Sequence, residues 1–254
     1  MGVLGLKQGI LRHEILLYKK LTNILNDINT ILIPQVCFGC NAHLIRGEHL
    51  VCTVCRNDLP LTDYTFNEEN PVDRIFYGRI NIKKASSFLF FSENSIVQHL
   101  IHHLKYKNQE QIGVFLGDWY GQNLKDNGAL NEIIDLVVPV PLHPKKLRRR
   151  GYNQVAKFAQ RLAYHIGAEY ADHLLVKSAN TKTQTKKGRI GRWQGEKALY
   201  TLSDAEYLKN KTVLLVDDVI TTGATMEICA KTLTETAGTI VYVVSMAVVP
   251  QLWN

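Results

Sequence analysis

Val213-Leu214-Leu215-Val216-Asp217-Asp218-Val219-Ile220-Thr221-Thr222-Gly223-Ala224-Thr225 is the stretch whose reading decides the fold. Four apolar residues in a row read as a central strand, buried on both faces as in a parallel sheet. The strand is expected to end at the two adjacent acids. A short turn rich in Thr and Gly follows, and a helix starts at about Ala224. A helix N-terminus offers unpaired N–H groups and the positive end of a dipole, which suit a phosphate. Gly223 lets the backbone come close to that phosphate, and the hydroxyls of Thr221, Thr222 and Thr225 add donors. Paired carboxylates just upstream would repel a phosphate but suit a sugar diol, or Mg²⁺ bridged to one. A diol and a phosphate one sugar apart describe a ribose 5-phosphate. The bland alternative is an ordinary α/β turn capped by Asp. The stretch is neither a G-x-x-x-x-G-K-[ST] loop nor a G-x-G-x-x-G fingerprint.

Working outward, strand-like and helix-like pieces alternate from about residue 80. Strands are expected over residues 85–91, 134–140, 174–177, 212–216 and 239–247, and helices over 95–106, 112–124, 153–166 and 224–236. Such alternation predicts a parallel sheet with helices on both faces, and ligands at the carboxyl edge of the strands. Cys229 falls in the last helix, where core packing is the expected role. His99, His102 and His103 fall in the first helix and read as a solvated face rather than a metal site, since no acidic third ligand lies nearby.

Behind the 134–140 strand runs Val138-Pro139-Val140-Pro141-Leu142-His143-Pro144-Lys145-Lys146-Leu147-Arg148-Arg149-Arg150-Gly151-Tyr152-Asn153-Gln154. Lys145, Lys146, Arg148, Arg149 and Arg150 supply five cations in six residues, in a loop on the same sheet edge as Asp217. A pyrophosphate leaving group needs such donors; a solvated basic turn is the alternative. A further cationic stretch, residues 181–197, carries Lys182, Lys186, Lys187, Arg189, Arg192 and Lys197 with Gly188, Gly191 and Gly195. Trp193 among these cations also suits base stacking on single-stranded nucleic acid.

Five cysteines occur, four of them as Cys37-x-x-Cys40 and Cys52-x-x-Cys55. Two such knuckles bring four soft ligands onto one tetrahedral Zn²⁺, with no open position for chemistry. Two disulfides or redox pairs are the other readings, and disulfides are disfavoured in a reducing compartment. His43 and His49 lie inside the loop and read as solvated. So small a segment cannot bury enough core to fold alone, and metal binding of about 10–16 kcal/mol supplies that deficit. Before the cysteines, apolar residues from Ile10 to Ile33 recur at helical spacing until Pro34.

VLLVDDVITTGAT resembles the phosphoribosyl pyrophosphate signature of type I phosphoribosyltransferases. With PVPLHP…RRRGYNQ and the four-cysteine module, the chain resembles the ComF family of competence-related phosphoribosyltransferase-like proteins. The resemblance implies an α/β fold: a type I phosphoribosyltransferase-like parallel sheet with helices on both faces, plus a small N-terminal four-cysteine zinc module. It implies binding of phosphoribosyl pyrophosphate with Mg²⁺. Asp217 and Asp218 would hold the ribose hydroxyls, and residues 219–225 (Val219, Ile220, Thr221, Thr222, Gly223, Ala224, Thr225) would form the rest of the site around the 5-phosphate. Pro141, Leu142, His143, Lys146, Arg149 and Arg150 would line the pyrophosphate side, with Asp217, Asp218, Arg149 and Arg150 stabilising the charge that develops. Residues 181–197 resemble the loop that closes over the reaction, departing from the family pattern at Gly195, where an Asn is usual; that departure counts against catalytic competence. The implied role is in DNA uptake, and the acceptor is not readable. The alternative is a non-catalytic protein that binds single-stranded DNA or a competence helicase on the same scaffold.

The expected divisions are an amphipathic helix over 1–34, the zinc module over 35–62 and the phosphoribosyltransferase-like domain over 80–254. Length fits: 254 residues suit one α/β domain plus something small. The net charge of +7, or +5 with four thiolates on one Zn²⁺, favours anionic partners. The longest apolar runs, 240–250 and 134–142, are too short to span a bilayer. Lys7, Arg12, Glu14, Lys19 and Lys20 interrupt the N-terminal apolar stretches, which argues against a secretory signal and for the cytoplasm.

Overall fold

The computed structural model describes residues 35–128, 134–178 and 199–250. The expected helix over 1–34 and the cationic stretch 181–197 lie outside the described residues. The chain divides into two compact units, Met1–Asn57 and Asp58–Asn254.

The described part of the smaller unit, from residue 35, is built of turns. Val36 bridges His43 and His49 bridges Val51, both antiparallel, and one short helix follows, α1 (Thr53–Asn57). Gly47 takes φ +93° at the tip between the cysteine pairs. Beside it the Glu48 carboxylate accepts the N–H groups of Ile45 (3.0 Å) and Thr53 (2.7 Å). That bond ties the tip to the start of α1 and holds the Glu48 carboxyl below the usual carboxylate range.

The larger unit opens with a segment to which the sequence reading gave no role beyond residue 62. In α2 (Pro71–Arg74) the capping residue Asn70 accepts from Val72 N–H, and the Asp73 carboxylate accepts Asn70 N–H. The same pair reaches across to Ala85: Asp73 accepts its N–H at 2.6 Å and Asn70 donates to its carbonyl at 2.8 Å. This box fixes where β1 (Lys84–Phe90) begins. Val72, Ile75 and Phe76 are buried in the core of this unit.

After β1 come α3 (Ile96–Tyr106), α4 (Gln111–Asp126), β2 (Leu136–Pro139), α5 (Pro144–Arg150), α6 (Ala156–Ile166), β3 (Glu169–Tyr170) and β4 (Leu175–Lys177). Then follow β5 (Tyr200–Leu202), α7 (Ala205–Leu208), β6 (Thr212–Ile220), α8 (Ala224–Thr234) and β7 (Ile240–Val248). Five strands form one sheet in the order β1-β7-β6-β2-β3. Every pair in it is parallel, as the apolar runs predict. The 174–177 strand does not join this sheet: β4 pairs antiparallel with β5 as a separate ribbon.

Both faces are covered. Val213 and Leu215 of β6 share a core cluster with Met226, Cys229, Ala230 and Leu233 of α8 and with Leu175 and Tyr200 of the ribbon. By the two-residue period of a strand, Leu214 and Val216 face the other side. There α4 packs on α6 at close range. A Cβ on Gly117 would lie 2.8 Å from Arg161 Cβ and 2.9 Å from the Phe158 carbonyl, so only glycine admits that approach. Among the described residues no helix is long and apolar enough to cross a membrane.

The strand order positions the site. The chain leaves β2 toward β3 on one side and leaves β6 toward β7 on the other. The carboxyl ends of β2 and β6 therefore flank a topological switch point, where open α/β sheets form their ligand crevice.

Candidate functional site

On the β2 side, pairing stops at Pro139 opposite Val216; on the β7 side it continues to Ile220 opposite Val248. The strand therefore runs through the acids instead of ending at them, which corrects the expected boundary. Beyond Val216 the strand has lost one neighbour and kept the other, so the acids stand at the edge of the crevice.

Because side chains alternate along a strand, adjacent acids leave on opposite faces. Asp218 turns toward α3 and α6. It is 7% exposed, its Oδ2 accepts from Gln154 Nε2 at 2.7 Å, and it pairs with Lys105 Nζ at 3.0 Å. Asp217 turns toward the ribbon and α8, and its carboxylate accepts the N–H of Asp218 at 2.8 Å. Burial, with the Asp218 charge beside it, pushes the Asp217 carboxyl up to about 8. On that side Lys177 donates to the Tyr200 hydroxyl at 2.7 Å and lies over its ring. Burial holds the Lys177 ammonium below its ordinary range and raises the buried Cys229 thiol and the Tyr200 phenol.

The turn after the strand exposes Thr221, Thr222, Ala224 and Thr225 and buries Gly223. Gly223 has φ +75°, and a Cβ there would meet Ile75 Cγ2 at 2.7 Å and Phe76 Cε1 at 3.0 Å. Glycine is required twice, by conformation and by space. Arg79 secures the same turn: its Nη1 donates to the Thr222 carbonyl at 2.7 Å and to the Ile75 carbonyl at 3.0 Å. Its Nε and Nη2 hold Glu227 Oε2 at 2.9 and 2.5 Å. With its carbonyl tied back, the turn presents the start of α8, eleven residues long, to solvent, an arrangement that suits an anion.

The basic run behind β2 is a helix, where a loop was expected. His143 Nδ1 accepts Lys145 N–H, Pro144 stands in the first turn, and Gly151 closes the helix at φ +87°. No residue of α5 is buried. Its last residue and those that follow it brace the crevice. Arg150 donates to the Gln154 side chain, and the Tyr152 hydroxyl donates to the Leu104 carbonyl of α3. Asn153 Nδ2 holds the Val140 carbonyl at 3.0 Å. Pro141, Leu142 and His143, all partly buried, lead from β2 into α5, while Lys146 and Arg149 are exposed.

Residues 154–249 match the phosphoribosyl transferase domain family, a span that holds the acids, the turn and α8. Competence protein F of Haemophilus influenzae is 29% identical over 137 residues, covering 53% of this chain and 60% of that protein. Competence protein ComFC of Bacillus subtilis is 24% identical over 206 residues, covering 79% of this chain and 78% of that protein. The chain is phosphoribosyltransferase-like and is similar to the ComF competence proteins. A solved glutamine phosphoribosylpyrophosphate amidotransferase from B. subtilis overlays 57% of this ComF-like chain and 30% of its own, at 21% identity and a TM-score of 0.42. The fold assignment rests on the strand order and the domain match.

The smaller unit of this ComF-like protein gathers Cys37, Cys40, Cys52 and Cys55 with their sulfur atoms all within 4.8 Å of one another. Cys40 and Cys52 Sγ are 3.8 Å apart, far beyond a disulfide bond of about 2.05 Å. Sulfurs at about 2.3 Å from a tetrahedral ion lie about 3.8 Å apart, so the four fit a metal such as zinc. Backbone N–H groups already point at the sulfurs: Gly39 and Cys52 donate to Cys37 Sγ at 3.3 and 3.2 Å, and Cys55 donates to Cys52 Sγ at 3.4 Å. Against the upward push of burial, donors from Cys52, Cys40 and Gly39 bring the Cys37 thiol down to about 7, toward the thiolate that ligates metal.

Lys105, Arg79 and Gln154 are the site residues that the sequence reading missed. Gln154 stood in the quoted motif without a role. Lys105 had no signal, because its partner lies 113 positions away.

Proposed function

We propose that the crevice between β2 and β6 binds phosphoribosyl pyrophosphate together with Mg²⁺, in a protein that serves natural competence, the uptake and processing of DNA. Residues 221–225 take the 5-phosphate on amides and hydroxyls. Asp217 and Asp218 take the ribose hydroxyls, and sugar binding releases Asp218 from Lys105. Pro141, Leu142, His143 and Lys146, with Arg149 and Arg150 beyond them, form the pyrophosphate side. Magnesium bound with the ligand neutralises pyrophosphate charge. The observation that carries this reading is the Gly223 turn, braced by Arg79 at the head of α8 and set one strand-end away from two acids. The competence role rests on the names of the relatives. The zinc reading of the four cysteines belongs to the same proposal, as a structural staple.

Calorimetry and thermal denaturation with phosphoribosyl pyrophosphate and Mg²⁺ test the reading. A site of this kind predicts a stabilisation of about 2.7 kcal/mol at a ligand concentration 100 times Kd. No stabilisation by the ligand with Mg²⁺ would sink it. Release of pyrophosphate in the presence of an acceptor separates turnover from binding alone. The exposed cations of α5 favour a second reading, a non-catalytic protein for single-stranded DNA or a helicase. It predicts DNA affinity that falls steeply with salt and survives replacement of both acids.

Arg79→Met should weaken phosphoribosyl pyrophosphate binding roughly tenfold, because the Thr222 carbonyl is no longer held back from the anion. Arg79→Lys keeps a charge near Glu227 but cannot hold two carbonyls and a carboxylate in one plane, so affinity stays low. Calorimetry on both variants checks this; wild-type affinity in Arg79→Met would remove the bracing role.

A further inference from the structure

The ribbon turns one face toward the sheet. Leu175 is 1% exposed and Val176 44%, so the alternation of a strand puts Lys177 on the inward side with Leu175. Lys177 stands directly opposite Tyr200 in the pairing. Tyr200 packs in one core cluster with Leu215 of β6 and Cys229 of α8, and Asp217 follows two residues after Leu215 on the same face of β6. A lysine of the ribbon thereby serves the Asp217 wall of the crevice, as Lys105 of α3 serves Asp218.

The two lysines differ in their partners. Lys105 has a counter-charge, the Asp218 carboxylate at 3.0 Å. The half-buried Lys177 ammonium is folded back on a neutral phenol, donating to the Tyr200 hydroxyl at 2.7 Å with the ring centroid 4.7 Å away. Among the described residues no carboxylate stands within 4.0 Å of it. A cation withdrawn from water without a counter-charge is costly. Lys177 and Asp217 each push the other toward its ionised form, yet burial and the Asp218 charge keep the proton on Asp217 up to about pH 8. A diol needs the opposite state, because an ionised carboxylate only accepts and so takes two hydroxyl donors at once. We propose that Lys177 is a positioning residue for Asp217: as the ligand enters, the ammonium leaves the Tyr200 hydroxyl and becomes the counter-charge of an Asp217 carboxylate that accepts both ribose hydroxyls. The Asp217 proton passes to solvent. The inference takes its ligand from the phosphoribosyl pyrophosphate reading, whereas the pairing of the two side chains does not depend on it. The other groups facing the carboxyl are Asp218 on its own strand, Lys105 of α3, Tyr200 of the ribbon and Cys229 of α8, while Lys146 of α5 opposes the ammonium. Burial raises the Tyr200 phenol and the Cys229 thiol, so both stay neutral while Asp217 titrates.

The test combines two measurements on the full zinc-loaded chain. Calorimetry with phosphoribosyl pyrophosphate and Mg²⁺ is run from pH 6 to 9, each variant against wild type at the same pH so that the ligand's own titration cancels. Carbon-13 NMR follows the Asp217 carboxyl without ligand, assigned by its loss in Asp217→Asn. Wild-type affinity is expected to rise with pH and to level off above about 8. Lys177→Met keeps the apolar stem and is expected to bind roughly tenfold more weakly at pH 7. Its rise in affinity and its Asp217 titration both move to higher pH. Lys177→Arg restores the charge and should return affinity to within about threefold of wild type. Tyr200→Phe frees the ammonium from its resting acceptor and should bind about twofold more tightly. Wild-type affinity in Lys177→Met at pH 7 would overturn the proposal. So would weakening of equal size at every pH with the Asp217 titration unmoved, the mark of a merely structural role. If wild type itself shows no response to the ligand, the reading of the crevice fails, and the carboxyl titration in Lys177→Met alone decides the pairing: a shift to higher pH upholds it and an unmoved titration ends it.

Discussion

Asp217→Asn is expected to make the ligand-free protein more stable at alkaline pH while removing its response to phosphoribosyl pyrophosphate. In the folded protein the Asp217 carboxyl is pushed up to about 8 by burial and by Asp218. In the unfolded chain it titrates near the ordinary value of about 3.9. Between those values the folded state binds a proton that the unfolded state does not. The contribution to stability is therefore complete below about pH 4 and is lost as pH rises through about 8. Asn carries no such proton, so this part of the slope disappears in the variant. The groups that face the carboxyl set the size of the effect: Asp218 raises it, while Lys105 and Lys177 lower it. Urea denaturation from pH 6 to 9 without ligand measures this. The wild-type midpoint falls with pH more steeply than that of the variant, and the two cross. Parallel profiles would refute the burial account. The functional half is separate: a neutral amide at this position should cost the variant its ligand-induced stabilisation.

The second large effect belongs to the cysteines. Cys52→Ser should reduce bound zinc from one per chain to none and open the smaller unit to proteolysis, while the larger unit keeps its fold. Cys52 is central to the cluster, its N–H donating to Cys37 Sγ and its own Sγ accepting from Cys55. A unit this small has little buried area to set against chain entropy, whereas zinc contributes about 10–16 kcal/mol to comparable modules. Cys229→Ser is the control. That residue is fully buried on the inner face of α8, so the change costs stability without touching zinc content. Metal analysis of the purified variants decides; full zinc occupancy in Cys52→Ser would rule out the four-sulfur site.

Much of this architecture is legible in the sequence, and the failures have physical causes. The apolar runs at 134–140 and 212–216 announce buried parallel strands because both faces are covered. Where β6 ends is not legible, because β7 sets it: Ser245, Ala247 and Val248 keep Asp217, Val219 and Ile220 paired after β2 has stopped. The opposed directions of the two acids follow from that extension. The helix at 144–150 is hidden by its own charge, since a helix with no buried residue shows no apolar period. Its ends were nonetheless marked by Pro144 and Gly151. Lys105, Gln154 and Arg79 earn their roles from partners distant in sequence, as in the contact of Arg79 with Thr222, and no local pattern encodes them. The close α4–α6 contact did have a signal, glycines at positions 113, 117 and 121 on one helical face, which spacing alone could have revealed.

The β4–β5 ribbon has a consequence for how this protein tolerates change. Ser178 N–H donates to the Leu199 carbonyl at 2.9 Å, and the Lys177 ammonium is bonded to Tyr200. The chain thus departs and returns through a stapled gate two strands wide, itself seated on the core beneath α8. Lengthening a tethered excursion costs only about 0.6 kcal/mol per doubling. Descendants of this chain are free to change the length and charge carried between the two strands while the platform they spring from stays the same.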